Sequence, residues 1–250
     1  MIFMNFITLS HPHSITQGEF EDFRTYDEIP TAIFINGRHL STLLLAPGDQ
    51  KEYITGFLLT EQHITKKEEI ESIRVEKNRI SIITTNIFTS PGPKKTILSG
   101  CGGAVSYIDT GKLPILSSNF SVSENAIDDC IRKIHSEKEI CSYGLVFSCL
   151  CQEDGLLLYR CDITDDQSLD RMIGAAFTKE INLTSSFCVC SATITSESVR
   201  KCLVARIPLI ITIGYCTSLA VEIGRKNGLG IGVVHDETIM IYSTPERISR

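Results

Sequence analysis

The chain has 250 residues, 42% of them hydrophobic and 22% charged, which is the composition of a soluble globular protein with room for one large domain or two modest ones. A net charge of −6 argues against non-specific binding to nucleic acid or anionic lipid, and no apolar run is long enough to span a bilayer. Met1–Ser10 carries no basic leader and no clear cleavage site, so the ten cysteines are expected as reduced thiols in the cytoplasm.

The first half reads as short strands with few helices. Ala32–Ile35 is a strand ending at the turn pair Asn36-Gly37, and Leu43–Ala46 is the next, stopped by Pro47-Gly48. Asp49 and Glu52 have capping-box spacing, and Tyr53, Ile54, Phe57 and Leu58 supply the apolar stripe of a helix. Thr65 and Glu68 repeat that spacing over a shorter segment. Ile73–Glu76 and Arg79–Ile83 alternate around Lys77-Asn78, a hairpin signal. Ser90-Pro91-Gly92-Pro93 is a loop leading to Ser99-Gly100-Cys101-Gly102-Gly103, where a cysteine sits between glycines. Glycine permits the positive φ of a tight, exposed turn, and such a turn leaves the Cys101 sulfur reachable for nucleophilic or sulfur-carrying work. The plainer reading is a turn whose cysteine does nothing.

From about Pro114 to Ser121 the character changes, and strands begin to alternate with helices. Ser121 and Glu124 are read as capping a helix that bears Val122, Ile127, Ile131 and Ile134. Tyr143–Phe147 and Leu156–Tyr159 are strands flanking Asp154-Gly155, and Leu169, Met172, Ile173, Ala176 and Phe177 mark a helix. Then come strand Phe187–Cys190, helix Ser196–Ala205, strand Leu209–Ile213, helix Ser218–Asn227 stopped by Gly228, and strands Ile231–Val234 and Ile239–Tyr242. This predicts a mixed α/β chain in two parts: residues 1–115, mainly β and carrying Cys101, and residues 116–250, a sheet covered by helices.

Several segments together resemble the formate dehydrogenase accessory sulfurtransferase family, FdhD/NarQ. They are Glu28-Ile29-Pro30 through Asn36-Gly37, Ala46-Pro47-Gly48-Asp49, Gly56-Phe57-Leu58-Leu59-Thr60-Glu61, Ile207-Pro208, Cys216 through Glu222, Gly228-Leu229 and Pro245-Glu246-Arg247-Ile248. Their order holds over nearly the whole chain. The resemblance implies a small N-terminal domain and a C-terminal domain like cytidine deaminase. It also implies a homodimeric carrier that takes persulfide sulfur from a cysteine desulfurase and passes it to the molybdenum cofactor, bis-molybdopterin guanine dinucleotide, of a molybdenum or tungsten formate dehydrogenase. The carrier residue would be Cys101. The run Val233-Val234-His235-Asp236-Glu237-Thr238 falls where family members use Phe-x-Arg for the guanine dinucleotide, although an exposed polar hairpin needs no ligand at all.

The departures from the family pattern cluster. Ala104 stands at the second cysteine of the Cys-Gly-x-Cys-Gly loop, and Phe147 stands at the histidine of Thr-Gly-Gly-x-His. The Glu-Asp-Val-Gly-Arg-His-Asn stretch falls on Cys161–Gln167, so Arg-His becomes Asp165-Asp166, while Asp162 is retained. Ser-Gly-Arg falls on Ser191-Ala192-Thr193, and His235 takes an arginine position. A site for a pyrophosphate has lost its bidentate arginines. That pattern keeps a rival open, a non-catalytic nucleotide-binding or scaffold homologue.

A third possibility is metal. Cys149-Leu150-Cys151 and Cys188-Val189-Cys190 could offer four thiolates to zinc, but the spacing is not that of common zinc motifs. Strand residues two apart share a face, so both pairs are expected to act as small buried hydrophobes, and no metal is expected. The His-x-Glu and Pro-Cys-x-x-Cys signature of the deaminases is absent from the sequence.

Overall fold

The computed structural model describes residues 27–85, 113–137, 144–236 and 238–249. The first block gives strands β1 (Ile29–Ile35) and β2 (Arg38–Leu45), helix α1 (Gln50–Thr60), and strands β3 (Ile70–Glu76) and β4 (Arg79–Thr84). The β1–β2 connection is the expected tight turn, with Asn36 and Gly37 at φ +49° and +78°, the conformation a two-residue hairpin demands. These strands form a sheet in the order β2-β1-β4-β3, in which β1 and β4 run parallel while β3 and β4 make the hairpin read around Lys77-Asn78.

The rest comprises β5 (Val122–Ser123), α2 (Glu124–Ser136), β6 (Val146–Gln152), β7 (Gly155–Asp162), α3 (Asp165–Thr178), β8 (Phe187–Cys190), α4 (Ser196–Ala205), β9 (Leu209–Thr212), α5 (Ser218–Asn227), β10 (Gly230–His235), β11 (Thr238–Ser243) and β12 (Ile248–Ser249). Six strands form one sheet in the order β11-β10-β9-β8-β6-β7. Its centre, β8, β9 and β10, is parallel because α4 and α5 supply the crossovers, and hairpins add antiparallel strands at both margins. Strands β8 and β9 are buried throughout. The mixed α/β class read from the sequence is what the structure has.

One face of the six-stranded sheet shares a core with α1, α3, α4, α5 and the inner face of the four-stranded sheet, running from Ile33 and Ile80 through Met172 and Ile173 to Ile223. The other face is covered by α2, through Ile127, Cys130 and Ile134 on Cys149, Phe187, Val189 and Ile211. Helices α1 and α3 cross at two glycines. A Cβ on Gly56 would lie 1.8 Å from the Asp170 carbonyl oxygen, and one on Gly174 would lie 1.8 Å from that of Glu52. Only hydrogen fits at either place, so the backbones touch.

Three capping expectations are corrected. Helix α2 starts at Glu124 with Ser123, not Ser121, as its cap: the Ser123 Oγ accepts from the Ala126 amide, while Val122 belongs to β5 and pairs with Ile248. Asp49 does precede α1, but at φ 47° its side chain makes no capping bond. Thr65 bonds Glu69 rather than Glu68, around a short 3-10 turn, Lys67–Glu69.

Candidate functional site

In an open sheet with parallel central strands, ligands settle beyond the carboxyl ends of the strands, where helix N-termini converge. Here that edge is formed by Asp162, Cys190, Thr212 and His235, the last residues of β7, β8, β9 and β10, and by the first turns of α3, α4 and α5. The loops are tied together. The Ile194 amide donates to the Tyr215 carbonyl (2.8 Å), the Thr217 amide donates to that of Ile194 (3.0 Å), and Ile194 and Cys216 form an isolated bridge. Thr212 Oγ1 donates to the Ala192 carbonyl (2.5 Å) and accepts from the Gly214 amide (2.8 Å). Thr195 caps α4 in a reciprocal box with Ser198, and Thr217 caps α5.

Among the described residues, the positions that depart from the family pattern lie at this edge, while Ala104 lies outside the described residues. The Phe147 amide donates to Ser191 Oγ (3.0 Å) and the Ser191 amide returns to the Phe147 carbonyl (3.1 Å), so these two motif positions are neighbours. Asp165 is half-buried in the first turn of α3, and Ser198 in the first turn of α4 donates to its Oδ2 (3.4 Å). Burial, then the neighbouring Asp166, raises the Asp165 carboxyl above its ordinary range. Where positive charge would meet a phosphate, this rim presents a carboxylate.

Beside it opens a groove of about 450 Å³, lined by Tyr215, Cys216 and Thr217 before α5, Arg225 within it, and Val233 and Tyr242. Tyr215 is 78% exposed. Arg225 Nε is committed to the Tyr242 carbonyl (2.8 Å). Cys216 is half-buried, and that burial pushes its thiol up, away from thiolate.

Of the six residues read as nucleotide-binding, Val233 lines the groove, whereas Val234 packs against the core on the opposite face. His235 and Thr238 are exposed and pair across the hairpin, and Asp236 turns at φ +54°. Glu237 lies outside the described residues, and so does Cys101. Two hydrogen bonds tie the chain on either side of residues 86–112: the Thr85 amide donates to the Glu69 carbonyl (3.0 Å), and the Leu116 amide donates to that of Asn227 (2.8 Å) at the C-terminus of α5. Lys67, two residues before Glu69, reaches the Thr178 carbonyl at the C-terminus of α3. The first anchor thus lies beside the C-terminus of α3 and the second at that of α5.

The register separates the two Cys-x-Cys pairs. Leu150 pairs with Cys188 and Cys149 with Val189, so Cys149 and Cys151 face α2 while Cys188 and Cys190 face the other core. Four sulfurs on opposite faces of one sheet cannot surround a single ion. Burial pushes the Cys190 thiol up to about 12 and raises that of Cys188 well above its ordinary value.

Sequence reasoning missed the buried charges that hold the site's framework. Asp162 accepts from the amides of Ala46 (2.9 Å) and Ile163 (2.8 Å) and pairs with Arg171, which also donates to the carbonyls of Ala46 and Gly48. The Ala46-Pro47-Gly48-Asp49 segment is thereby fixed to α3. Deeper, Lys201 pairs with Asp170 (2.6 Å), which also accepts from Thr60 Oγ1 (2.7 Å). Burial pushes Asp170 up to about 7 against the pull of Lys201. Asp170 and Arg171 flank the stripe of α3, where helical periodicity alone reads them as solvated.

Residues 26–249 match the model of the FdhD/NarQ family. The sulfur carrier protein FdhD of Bacillus pumilus is 25% identical over 255 residues, covering 95% of each chain. That of Sulfolobus acidocaldarius is 29% identical over 239 residues, covering 91% of this chain and 92% of the relative. In fold, the chain is similar to the crystal structure of a formate dehydrogenase accessory protein from Desulfotalea psychrophila, with a TM-score of 0.73 at 23% identity over 89% of this chain and 90% of that one.

Proposed function

The chain belongs to the FdhD/NarQ family, and from that premise we propose that it is a sulfur carrier acting in the maturation of a formate dehydrogenase, with Cys101 as the carrier thiol. The observation that carries the reading is the near full-length similarity to relatives named as sulfur carrier proteins, in a chain that keeps a glycine-flanked cysteine at the carrier position. In the proposed step the Cys101 thiolate attacks the outer sulfur of a persulfide on a cysteine desulfurase. The donor's S–S bond breaks, the donor cysteine leaves as thiolate, and Cys101 holds Cys–S–S⁻. Onward transfer would break that S–S bond: the terminal sulfur would pass to the reduced molybdenum centre of the acceptor, which would supply the two electrons that make it sulfide, and Cys101 would leave as thiolate. One cysteine suffices, so Ala104 does not block the chemistry.

The thiols of the two central Cys-x-Cys pairs are poor rivals for the role. Cys149, Cys151 and Cys188 are fully buried and Cys190 is nearly so. A thiol without solvent access cannot meet a protein-bound persulfide. Incubation with a cysteine desulfurase and cysteine, followed by mass spectrometry, tests the reading. Persulfide is expected on Cys101 and is expected to be largely lost in Cys101→Ala. Labelling that spreads over other cysteines and survives the substitution would sink it.

One observation favours a second reading, a nucleotide-binding or scaffold homologue without transfer chemistry. The rim carries Asp165 and Asp166 where a pyrophosphate calls for cations. On that reading Cys101 stays unlabelled while the fold and its contacts with a partner persist.

A further inference from the structure

The inner face of the four-stranded sheet belongs to the shared core, while its outer face stands open. Strand side chains alternate between the two faces, so Ile33, Leu45, Ile80 and Ile82 are buried and their neighbours point the other way. On that outer side Leu40 and Leu44 of β2 and Ile83 of β4 are 40%, 49% and 41% exposed. Between them, on β1, Ala32 and Phe34 are half-buried, opposite Thr42 and His39 on one flank and Arg79 and Ser81 on the other. Four strands about 4.8 Å apart and at least six residues long make a face of roughly 400 Å², the scale at which a surface patch is often functional.

We propose that this face is the docking site of the chain's own N-terminal segment, Met1–Leu9. Residues 1–26 lie outside the described residues. Seven of the first nine are apolar, among them Phe3, Phe6 and Leu9, and no Asp, Glu, Lys or Arg precedes Glu19. Burying that run against Leu40, Leu44 and Ile83 removes apolar surface from water on both partners, which is the driving force for the contact. The inference stands apart from the carrier thiol and does not depend on the function proposed above.

The connection has the reach and the direction. Strand β1 begins at Ile29, opposite Leu45, and its next residue, Pro30, lies opposite Leu44, so the chain enters the sheet at the margin of the open face. Ile29 is 20 positions beyond Leu9. A link of that length spans up to about 66 Å when extended and about 25 Å as a flexible chain, against a face about 20 Å across. Such a tether holds the segment at a local concentration in the millimolar range, which favours it over a free partner. Charge agrees: Glu19–Arg24 carries three acids against one base. The outer face carries Arg74 and Arg79 against Glu76, which lies 2.9 Å from Arg74, and the Arg79 guanidinium stands 3.9 Å from the centre of the Phe34 ring.

Two measurements on the full chain test the proposal. Phe6 is replaced by the photo-crosslinker p-benzoylphenylalanine, and the irradiated protein is digested for mass spectrometry. A link within one chain from position 6 to peptides of Arg38–Leu45 or Arg79–Thr84 is expected. A link between two chains, a link to another part of the fold, or no link at all would overturn the proposal. The second measurement is a thermal-melting cycle with Leu44→Thr, a change that keeps strand propensity and removes apolar surface. The substitution is expected to lower the melting temperature of the full chain and to have a much smaller effect in a chain lacking residues 2–9. Equal shifts in the two backgrounds would show that Leu44 does not meet the segment and would sink the idea. Both readouts come from proteins that keep the whole described fold, and an exposed leucine on the outer face is not needed for folding.

Discussion

Adding a single methyl at Gly174 should separate two helices. In the folded chain an alanine Cβ there lies 1.8 Å from the Glu52 carbonyl oxygen and 2.6 Å from the Gly56 nitrogen. Ordinary contact begins at 3.4 Å, so α1 and α3 must part by roughly 1.6 Å, and that gap alone forfeits a large share of the dispersion attraction along the crossing. Forced over-packing of this kind costs about 1–3 kcal/mol, and more where the obstacle is backbone on both sides. Alanine returns about 1 kcal/mol of helix propensity. With the backbone obstacle setting the cost at or above the top of that range, the net expectation for Gly174→Ala is a loss of about 2 kcal/mol or more by urea or guanidinium denaturation. Gly56→Ala, whose Cβ would sit 1.8 Å from the Asp170 oxygen, should lose a similar amount. The decisive measurement is the double variant. One separation relieves both clashes, so the combined loss should fall short of the sum by at least about 1 kcal/mol. If Gly174→Ala were neutral or stabilising, or if the two losses simply added, the backbone-contact account of this crossing would be wrong.

Other expectations are simpler to test. Lys201→Met strands Asp170 in the core and should cost about 3–5 kcal/mol, whereas Lys201→Met with Asp170→Leu should recover much of that loss, since a buried ion pair is worth little against a packed apolar pair; a double variant no better than the single would refute it. Glu153 accepts from the Ser123 hydroxyl and amide ahead of α2, and these bonds hold its carboxyl below the usual range. The unfolded chain therefore takes up that proton first, so the contribution is present above about pH 4.3 and fades as pH falls. Glu153→Gln should lower the melting temperature at pH 7 and leave it unchanged near pH 3, and equal losses at both would contradict this. GDP and pyrophosphate should bind weakly by calorimetry, and Asp165→Asn should tighten both while the exposed-side change Asp236→Asn does not; tight binding by the unaltered chain would show that the rim charges do not govern selectivity.

Much of this architecture was legible because it follows from alternation. The Asn36-Gly37 turn, the Lys77-Asn78 hairpin and the alternating strands and helices after Phe187 are local signals, and the two-residue spacing of the cysteines already placed each pair on one face. That the two pairs take opposite faces depends on the β6–β8 register, which no local pattern encodes. The α2 start was misplaced because Ser121 and Ser123 both precede an acidic residue, and the choice between them is made by β5 pairing with β12. The groove escaped notice because its walls come from three separate stretches, residues 215–225, Val233 on β10 and Tyr242 on β11, brought together only by the fold. Buried ions are the hardest to foresee: Asp170 and Lys201 look like surface residues until two other helices close over them.

The stretch Cys161–Gln167 divides its labour by depth. Asp162 is wholly buried, and replacing it would strand the Arg171 guanidinium and the Ala46 amide at once. Three residues later, Asp165 and Asp166 face the rim, where a change of side chain alters the field met by a visitor but breaks no contact between the two sheets. A chain built this way can exchange what it recognises without renegotiating how it folds. Its rim is free to drift in charge, and any shift in ligand preference is reached by steps that each leave a stable protein behind.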